Sequence, residues 1–210
     1  MMIKIRTVTG AAMTTWLDEA ARLRILVFRD FPYLYDGHID YERRYLAQFA
    51  AAADSALILA LADDQVVGCA TAMAMRGADA DFRRPFDAAG ANTDDICYFG
   101  ESVLDARYRG QGIGHQFFDA REQHARQLGA KVTTFCAVQR PDNHPLRPPG
   151  YRPLDAFWHK RGYQRRDDLT TQFTWKDIDQ PSETAKSMVF WLRALTGQQQ
   201  RPMSASNPGG

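Results

Sequence analysis

No uninterrupted apolar run in this sequence approaches the roughly 20 residues that a membrane span requires, although 45% of its 210 residues are hydrophobic. The opening MMIKIRTVTG also lacks the apolar core and cleavage site of a signal peptide. A soluble, cytoplasmic protein that does not engage a membrane is expected. Charge of one sign is missing too: 26 basic side chains face 25 acidic ones, for a formal net charge of +1. That excludes the broad electrostatic footprint of a nucleic-acid or polyanion binder, so any anion site must be local. Cysteine is scarce. Cys69, Cys97 and Cys136 are odd in number, far apart and each set in an apolar, strand-like run. Buried free thiols are expected there, and neither disulfides nor a metal site. No internal repeat is visible.

What is present reads as one domain, the usual outcome for this length. Residues 1–10 alternate as a strand, with Ile3 and Ile5 on one face. Met13 to Phe28 carries Trp16, Ala20, Leu23 and Val27 at helical spacing. FRDFPYLYDGHID then breaks the period at Pro32 and Gly37, before Tyr41, Tyr45, Leu46 and Phe49 resume a helical stripe. SALILALADDQVVGCATAMAM splits at its turn residues into a hairpin. Ala78 to Asp95 reads as a loop with a short helix around Phe82 to Ala88. ICYFGESVL is a buried central strand, and a helix carrying Ile113, Phe117, Ala120 and Leu128 follows and ends at Gly129. KVTTFCAV is a second central strand. QRPDNHPLRPPGYRPLD holds five of the ten prolines and must be coil. A short helix from Asp155 to Arg161 and strands at Leu169 to Asp177 and Met188 to Leu195 complete a domain over 1–196. Residues 197–210 have the composition of a disordered tail. The order gives a mixed α/β (α+β) pattern, not the regular alternation of a doubly wound fold.

The chemistry concentrates in RYRGQGIGHQFF, Arg107 to Phe118. A strand, then Arg109-Gly110-Gln111-Gly112-Ile113-Gly114, then a helix directs several backbone N–H groups and the helix dipole at one point, which suits a phosphate. A P-loop is excluded because no Gly-Lys-Ser/Thr follows, and the spacing fails the Gly-x-Gly-x-x-Gly of a dinucleotide site. Arg109-x-x-Gly112-x-Gly114 matches the Arg/Gln-x-x-Gly-x-Gly/Ala signature of the GNAT superfamily of N-acetyltransferases, and VLDARYRGQGIGHQFF resembles that superfamily's strand–turn–helix motif. DAFWHKRGYQ is similar to its short helix ending in Lys-x-Gly-aromatic. The resemblance runs from Ile3 to Leu195.

The resemblance implies a single domain with a mixed, mostly antiparallel central sheet flanked by helices and a splayed central strand pair. It implies acetyl-CoA as acyl donor, no metal, and transfer of its acetyl group to a primary amine of a small molecule or peptide. The diphosphate would rest on Arg109, Gly110, Gln111, Gly112, Ile113 and Gly114, the pantetheine arm against Val103 and Leu104, and Asn143 would touch the cofactor. Direct attack needs a neutral amine and therefore a base. Glu101, a carboxylate in an otherwise apolar strand, is the first candidate; Tyr98, on the opposite face by strand alternation, is the second. Trp158 stands where many members carry a tyrosine acid, and an indole N–H cannot serve as one. His159, Tyr151, Tyr163 or water remain. Phe31, Tyr33 and Tyr35 would wall the acceptor site, with Asp36 pairing the acceptor ammonium. A catalytically silent acyl-CoA-binding module and a transferase using a longer acyl donor are the competing readings, and homodimer formation is left open.

Overall fold

A computed structural model describes residues 2–195, so the tail expected at 197–210 lies outside the described residues. The strands are β1 Ile3–Thr9, β2 Ala56–Ala62, β3 Gln65–Ala74, β4 Ile96–Leu104, β5 Val132–Val138, β6 Gln164–Lys176 and β7 Glu183–Ala194. The helices are α1 Leu17–Phe28, α2 Ile39–Ala51, α3 Ala80–Ala88, α4 Ile113–Gln127 and α5 Asp155–Lys160. The strands form one sheet in the order β1-β2-β3-β4-β5-β7-β6, antiparallel throughout except for β4 beside β5.

The layers follow from the side-chain alternation of the strands. In β2, Leu57, Leu59 and Leu61 join Ala20, Leu23, Leu46 and Phe49 of α1 and α2 on one face. Ile58 and Ala60 meet Ile113 and Phe117 of α4 on the other. With both faces covered, β2 is buried along its whole length, which is why ALILALA reads as a continuous apolar run and not as an alternation. Each fully buried Leu or Ile here contributes about 1.5–3 kcal/mol relative to exposure.

Several sequence expectations change at the edges. The segment before α1 is a 3-10 helix, Gly10–Trp16, and the α-helix starts at Leu17. Strand β6 begins at Gln164, five residues before Leu169, because an edge strand can carry the exposed, charged QRRDD without apolar alternation. Strand β7 likewise starts at Glu183. On α2, Tyr41 is 54% exposed while Glu42 is fully buried, so the inward stripe is Glu42, Tyr45, Leu46 and Phe49.

Two irregularities shape the middle of the sheet. Strands β4 and β5 pair only from Ile96↔Val132 to Tyr98↔Thr134, then separate, β4 running on to Leu104 and β5 to Val138. Beside that split, β4 carries a bulge against β3: Ala70 faces Ser102 but Ala72 faces Phe99. A bulge inserts one residue and inverts the alternation beyond it. Tyr98 and Glu101 therefore share the face covered by α1 and α2, which corrects the expectation that they point to opposite sides. Gly100 sits inside the bulge, where a Cβ would lie 2.4 Å from Thr71 Oγ1.

Candidate active site

The glycine turn is built as an anion cradle. Gly110 and Gly112 have φ of +77° and +78°, a region that side chains disfavour, and Gly112 caps α4. The N–H of Arg109 donates to Ala106 O. From Gly110 to Gly114 the five amides have no backbone partner among the described residues outside the helix, and residues 113 and 114 are too early in α4 for an intrahelical acceptor. A Cβ at Gly110 or Gly112 would meet nothing within 4 Å. The cradle is open, and it stands at the positive end of a 15-residue helix. Arg107 is engaged by Asp105, with Nη2 at 2.6 Å from Oδ2. Arg109 is half exposed, reaching Leu104 O at 3.4 Å and Asp30 at 3.9 Å, and is the cation best placed to meet an anion.

The gap between β4 and β5 opens beside this turn. Asp105 N–H donates to Val67 O of β3, so alternation turns the amide of Leu104 toward the open edge and that of Val103 toward β3. Of the two residues expected to line the donor arm, Leu104 therefore presents a free N–H to the gap, its carbonyl accepting from Arg109 Nε. Val103 contributes a buried side chain.

On the α1/α2 face, Glu101 is buried and ion-paired: Arg24 Nη1 lies 2.7 Å from Oε2. The same guanidinium bonds through Nε to the fully buried Glu42 and stacks on the rings of Phe28 and Tyr45, at 5.1 and 4.5 Å. Burial by itself would lower the Arg24 pKa, but Glu101, Tyr45 and Glu42 reverse it and hold the group charged. Glu101 Oε1 and Glu42 Oε1 have no hydrogen-bond partner among the described residues. Tyr33, Tyr45 and Tyr98 surround this cluster, and burial raises all three phenols above their ordinary value. Tyr98 therefore keeps its proton and can donate, not accept; its hydroxyl lies 3.7 Å from Cys136 Sγ. The Cys136 thiol is pushed up to about 12 by burial and stays neutral.

The acceptor-side loop, residues 29–38, is tied down at several points. Arg140 donates to Pro32 O and Tyr33 O, both at 2.8 Å, and forms a bidentate pair with Asp177 at 2.8 and 2.9 Å. Trp175 Nε1 donates to Tyr33 O at 3.1 Å, and Tyr35 bridges to Asp177. Tyr33 packs on Phe28 and on Trp175. Phe31 meets Tyr151 edge-on at 4.7 Å and His144 at 5.7 Å, joining this loop to the proline-rich one. Tyr35 lies over Gly37, whose Cβ would stand 2.5 Å from its ring. Asp36 departs from expectation: it is exposed and occupied by Lys176 at 2.9 Å, with Arg29 at 3.5 Å, instead of offering a free carboxylate to an ammonium.

The structure thus gathers Tyr33, Tyr98 and Glu101, and places Phe31 at the rim. Asn143 is an exposed loop residue. Among the residues considered as acids, Tyr163 is buried on the other face against Thr133 and Glu122. Trp158 packs between Phe135 and Trp191, and His159 also lies on Trp191. Sequence reasoning missed Arg24, Glu42 and Arg140. The first two were within reach: Arg24 extends the stripe Ala20, Leu23, Val27, and Glu42 stands at helical spacing from Tyr45, Leu46 and Phe49. Among the described residues no group of His, Cys, Asp and Glu could hold a metal ion, and no helix is long and apolar enough to cross a membrane.

A model of the acetyltransferase (GNAT) family matches residues 20–148. No curated protein matches the chain by sequence. Among solved structures, a ribosomal-protein-alanine N-acetyltransferase from Brucella melitensis superposes with a TM-score of 0.60 at 14% identity, over 91% of this chain and 99% of that one. An N-acetyltransferase from Staphylococcus aureus Mu50 gives 0.59 at 16%, over 93% and 100%. An aminoglycoside 6'-N-acetyltransferase complexed with coenzyme A gives 0.57 at 12%, over 94% and 99%. At such identities the likeness is one of fold. The family match spans more than half of the sequence, from α1 through β4, the glycine turn, α4 and β5: the chain belongs to the acetyltransferase (GNAT) family.

Proposed function

We propose that this protein transfers the acetyl group of acetyl-CoA to a primary amine of a small molecule or peptide by direct attack. The observation that carries the donor assignment is the run of unpartnered amides from Gly110 to Gly114, at the head of α4 and beside the split of β4 from β5. Those amides and Arg109 suit a diphosphate, and the open edge at Leu104 suits an extended amide-bearing arm. Bound acetyl-CoA would supply an activated acetyl thioester. The Leu104 N–H, free of β3, is available to hold a developing oxyanion.

Glu101 is the base in this reading. Its Oε1 is a buried acceptor with no donor of its own, and its Oε2 lies 2.7 Å from the Arg24 guanidinium. It takes one proton from the acceptor ammonium and frees the nitrogen lone pair for the carbon–nitrogen bond; as the tetrahedral adduct collapses the carbon–sulfur bond breaks, and the second nitrogen proton passes through Tyr98, Tyr151 or water to the departing thiolate, leaving the relaying group as it began. Tyr33, Tyr45 and Phe31 supply an apolar, aromatic approach for the amine.

The test is thiol release from acetyl-CoA with a panel of primary amines, for wild type and Glu101→Gln. Turnover on at least one amine is expected, and Glu101→Gln should lower kcat about 100-fold or more while leaving acetyl-CoA affinity within twofold. Tight binding of acetyl-CoA with no thiol release on any amine would replace the enzyme by an acyl-CoA-binding module. Equal rates in wild type and Glu101→Gln would remove Glu101 from the mechanism.

A further inference from the structure

The buried charges beside the site do not end at Glu101. Three elements each contribute one: Arg24 from α1, Glu42 from α2 and Glu101 from β4. The guanidinium stands between the carboxylates, Nη1 toward Glu101 and Nε toward Glu42, and the rings of Phe28 and Tyr45 fix its plane. Both carboxylates are buried, Glu42 completely. A second buried acid is costly unless it does something for the first, since a single Arg–Glu pair would satisfy the local charge with less desolvation. Here two acids share one cation; neither oxygen of Glu101 nor Oε1 of Glu42 has a hydrogen-bond partner among the described residues, and the Tyr35 hydroxyl faces Glu42.

We propose that Glu42, acting through Arg24, is a positioning residue for acyl transfer: it holds the far side of the guanidinium so that Glu101 is oriented and stays available as a base. The proposal rests on Glu101 being the base. If Glu42 did not take Nε, the whole cationic field of Arg24 would fall on Glu101 and lower its basicity. The guanidinium would also lose the bond that sets its rotamer, and with it the direction in which Glu101 Oε1 faces. The other groups around Glu101 and Glu42 are neutral at the working pH: Tyr45 of α2, Tyr33 and Tyr35 of the loop after α1, Tyr35 facing Glu42, Cys69 of β3, Tyr98 of β4 and Cys136 of β5, all held protonated chiefly by burial. Arg121 of α4 contributes a distant positive charge from the opposite face of the sheet. Glu42 is therefore the nearby anion that can set how basic Glu101 is.

The experiment is the pH dependence of kcat/KM for Glu42→Gln, Glu101→Gln and the double variant, with thermal midpoints measured alongside. The acid limb of Glu42→Gln should move to lower pH by about one unit, with the plateau rate down about threefold to tenfold and acetyl-CoA affinity unchanged. In the Glu101→Gln background the limb should be absent and Glu42→Gln should add no further loss. A lowered thermal midpoint with an unmoved limb makes Glu42 structural only and overturns the proposal while leaving Glu101 as base. A limb that survives Glu101→Gln overturns the base assignment, and this proposal with it. Should Glu42→Gln not fold, Glu42→Asp, with its charge on a shorter arm, should move the limb the same way by a smaller amount, and an unmoved limb is again decisive against it.

Discussion

Asp177 is the keystone between the acceptor-side loop and the β6–β7 hairpin, and Asp177→Ala should show it. Its two oxygens receive Arg140 at 2.8 and 2.9 Å, and Lys186 stands 3.3 Å from Oδ1. All three side chains are at least nine-tenths buried. Removing the carboxylate leaves two buried cations together, and breaking such a pair costs about 3–5 kcal/mol. The lower end applies, because the cations keep other partners: Arg140 retains the carbonyls of Pro32 and Tyr33, and Lys186 those of Trp175 and Thr184 with the Thr184 hydroxyl. About 3 kcal/mol in a domain of this size corresponds to a thermal midpoint lower by about 6–12 °C. Because Arg140 also holds the carbonyls of Pro32 and Tyr33, the loop bearing Phe31 and Tyr33 should loosen. The acceptor KM should rise, while acetyl-CoA affinity, carried by the backbone amides of the glycine turn and touched by this loop only through the exposed Arg109–Asp30 pair at 3.9 Å, should change much less. Scanning calorimetry and steady-state kinetics on the same preparation read both effects, and Asp177→Asn, which keeps one oxygen for Arg140, should fall between. A midpoint within about 2 °C of wild type, together with an unchanged acceptor KM, would refute the reasoning that this cluster holds the loop.

Gly112→Ala forces a side chain to φ +78° with no steric obstacle from the protein. It should cost about 1–2 kcal/mol of stability and weaken coenzyme A binding measured by titration calorimetry. Gly114→Ala, at a helical position where the new Cβ lies an ordinary 3.6 Å from Phe157, should leave stability unchanged; equal losses in the two variants would show that φ at Gly112 is not what matters. Stability should also fall in alkali. Burial raises Tyr33, Tyr45, Tyr98 and Tyr163 and pushes the Cys97 and Cys136 thiols up to about 12. The folded state thus keeps protons that the unfolded chain releases above roughly pH 9, so stability is level below that and declines as pH rises through the folded values. Arg121, lowered to about 10 by burial, acts in the opposite sense but is one group against six. A urea midpoint that does not drop between about pH 8 and pH 10.5 would count against this.

The glycine turn at the head of α4 was legible because it is local. Strand, turn and helix are consecutive, and the glycines at 110 and 112 each report a positive-φ backbone requirement two residues apart. The middle strands and their helices were legible through continuous apolar runs such as ALILALA. What could not be read is long-range. The Asp36–Lys176 pair joins residues 140 apart, and Arg140 reaches the loop at Pro32 across 108 positions. Neither partner carries any local mark of the other. Edge strand β6 begins with charged residues because one side of it faces no neighbour, and a pattern built for buried strands starts counting too late.

The bulge in β4 joins both halves. Gly100 leaves room for Thr71 where a Cβ would clash, so the chain gains one residue against β3 between Phe99 and Ser102. With regular alternation, Glu101 would face α4, among Phe99 and Phe118, far from the loop that carries Tyr33. The extra residue turns Glu101 to Arg24, Glu42 and Tyr98. It does so just beyond Tyr98↔Thr134, where β5 departs and the donor gap opens. The carboxylate is thereby placed on the α1/α2 face of the strand whose free edge borders the gap, and a single glycine in ICYFGESVL links the two. The strand's apolar pattern, taken as regular, hides that link; the glycine in its middle is the sign that the pattern changes phase.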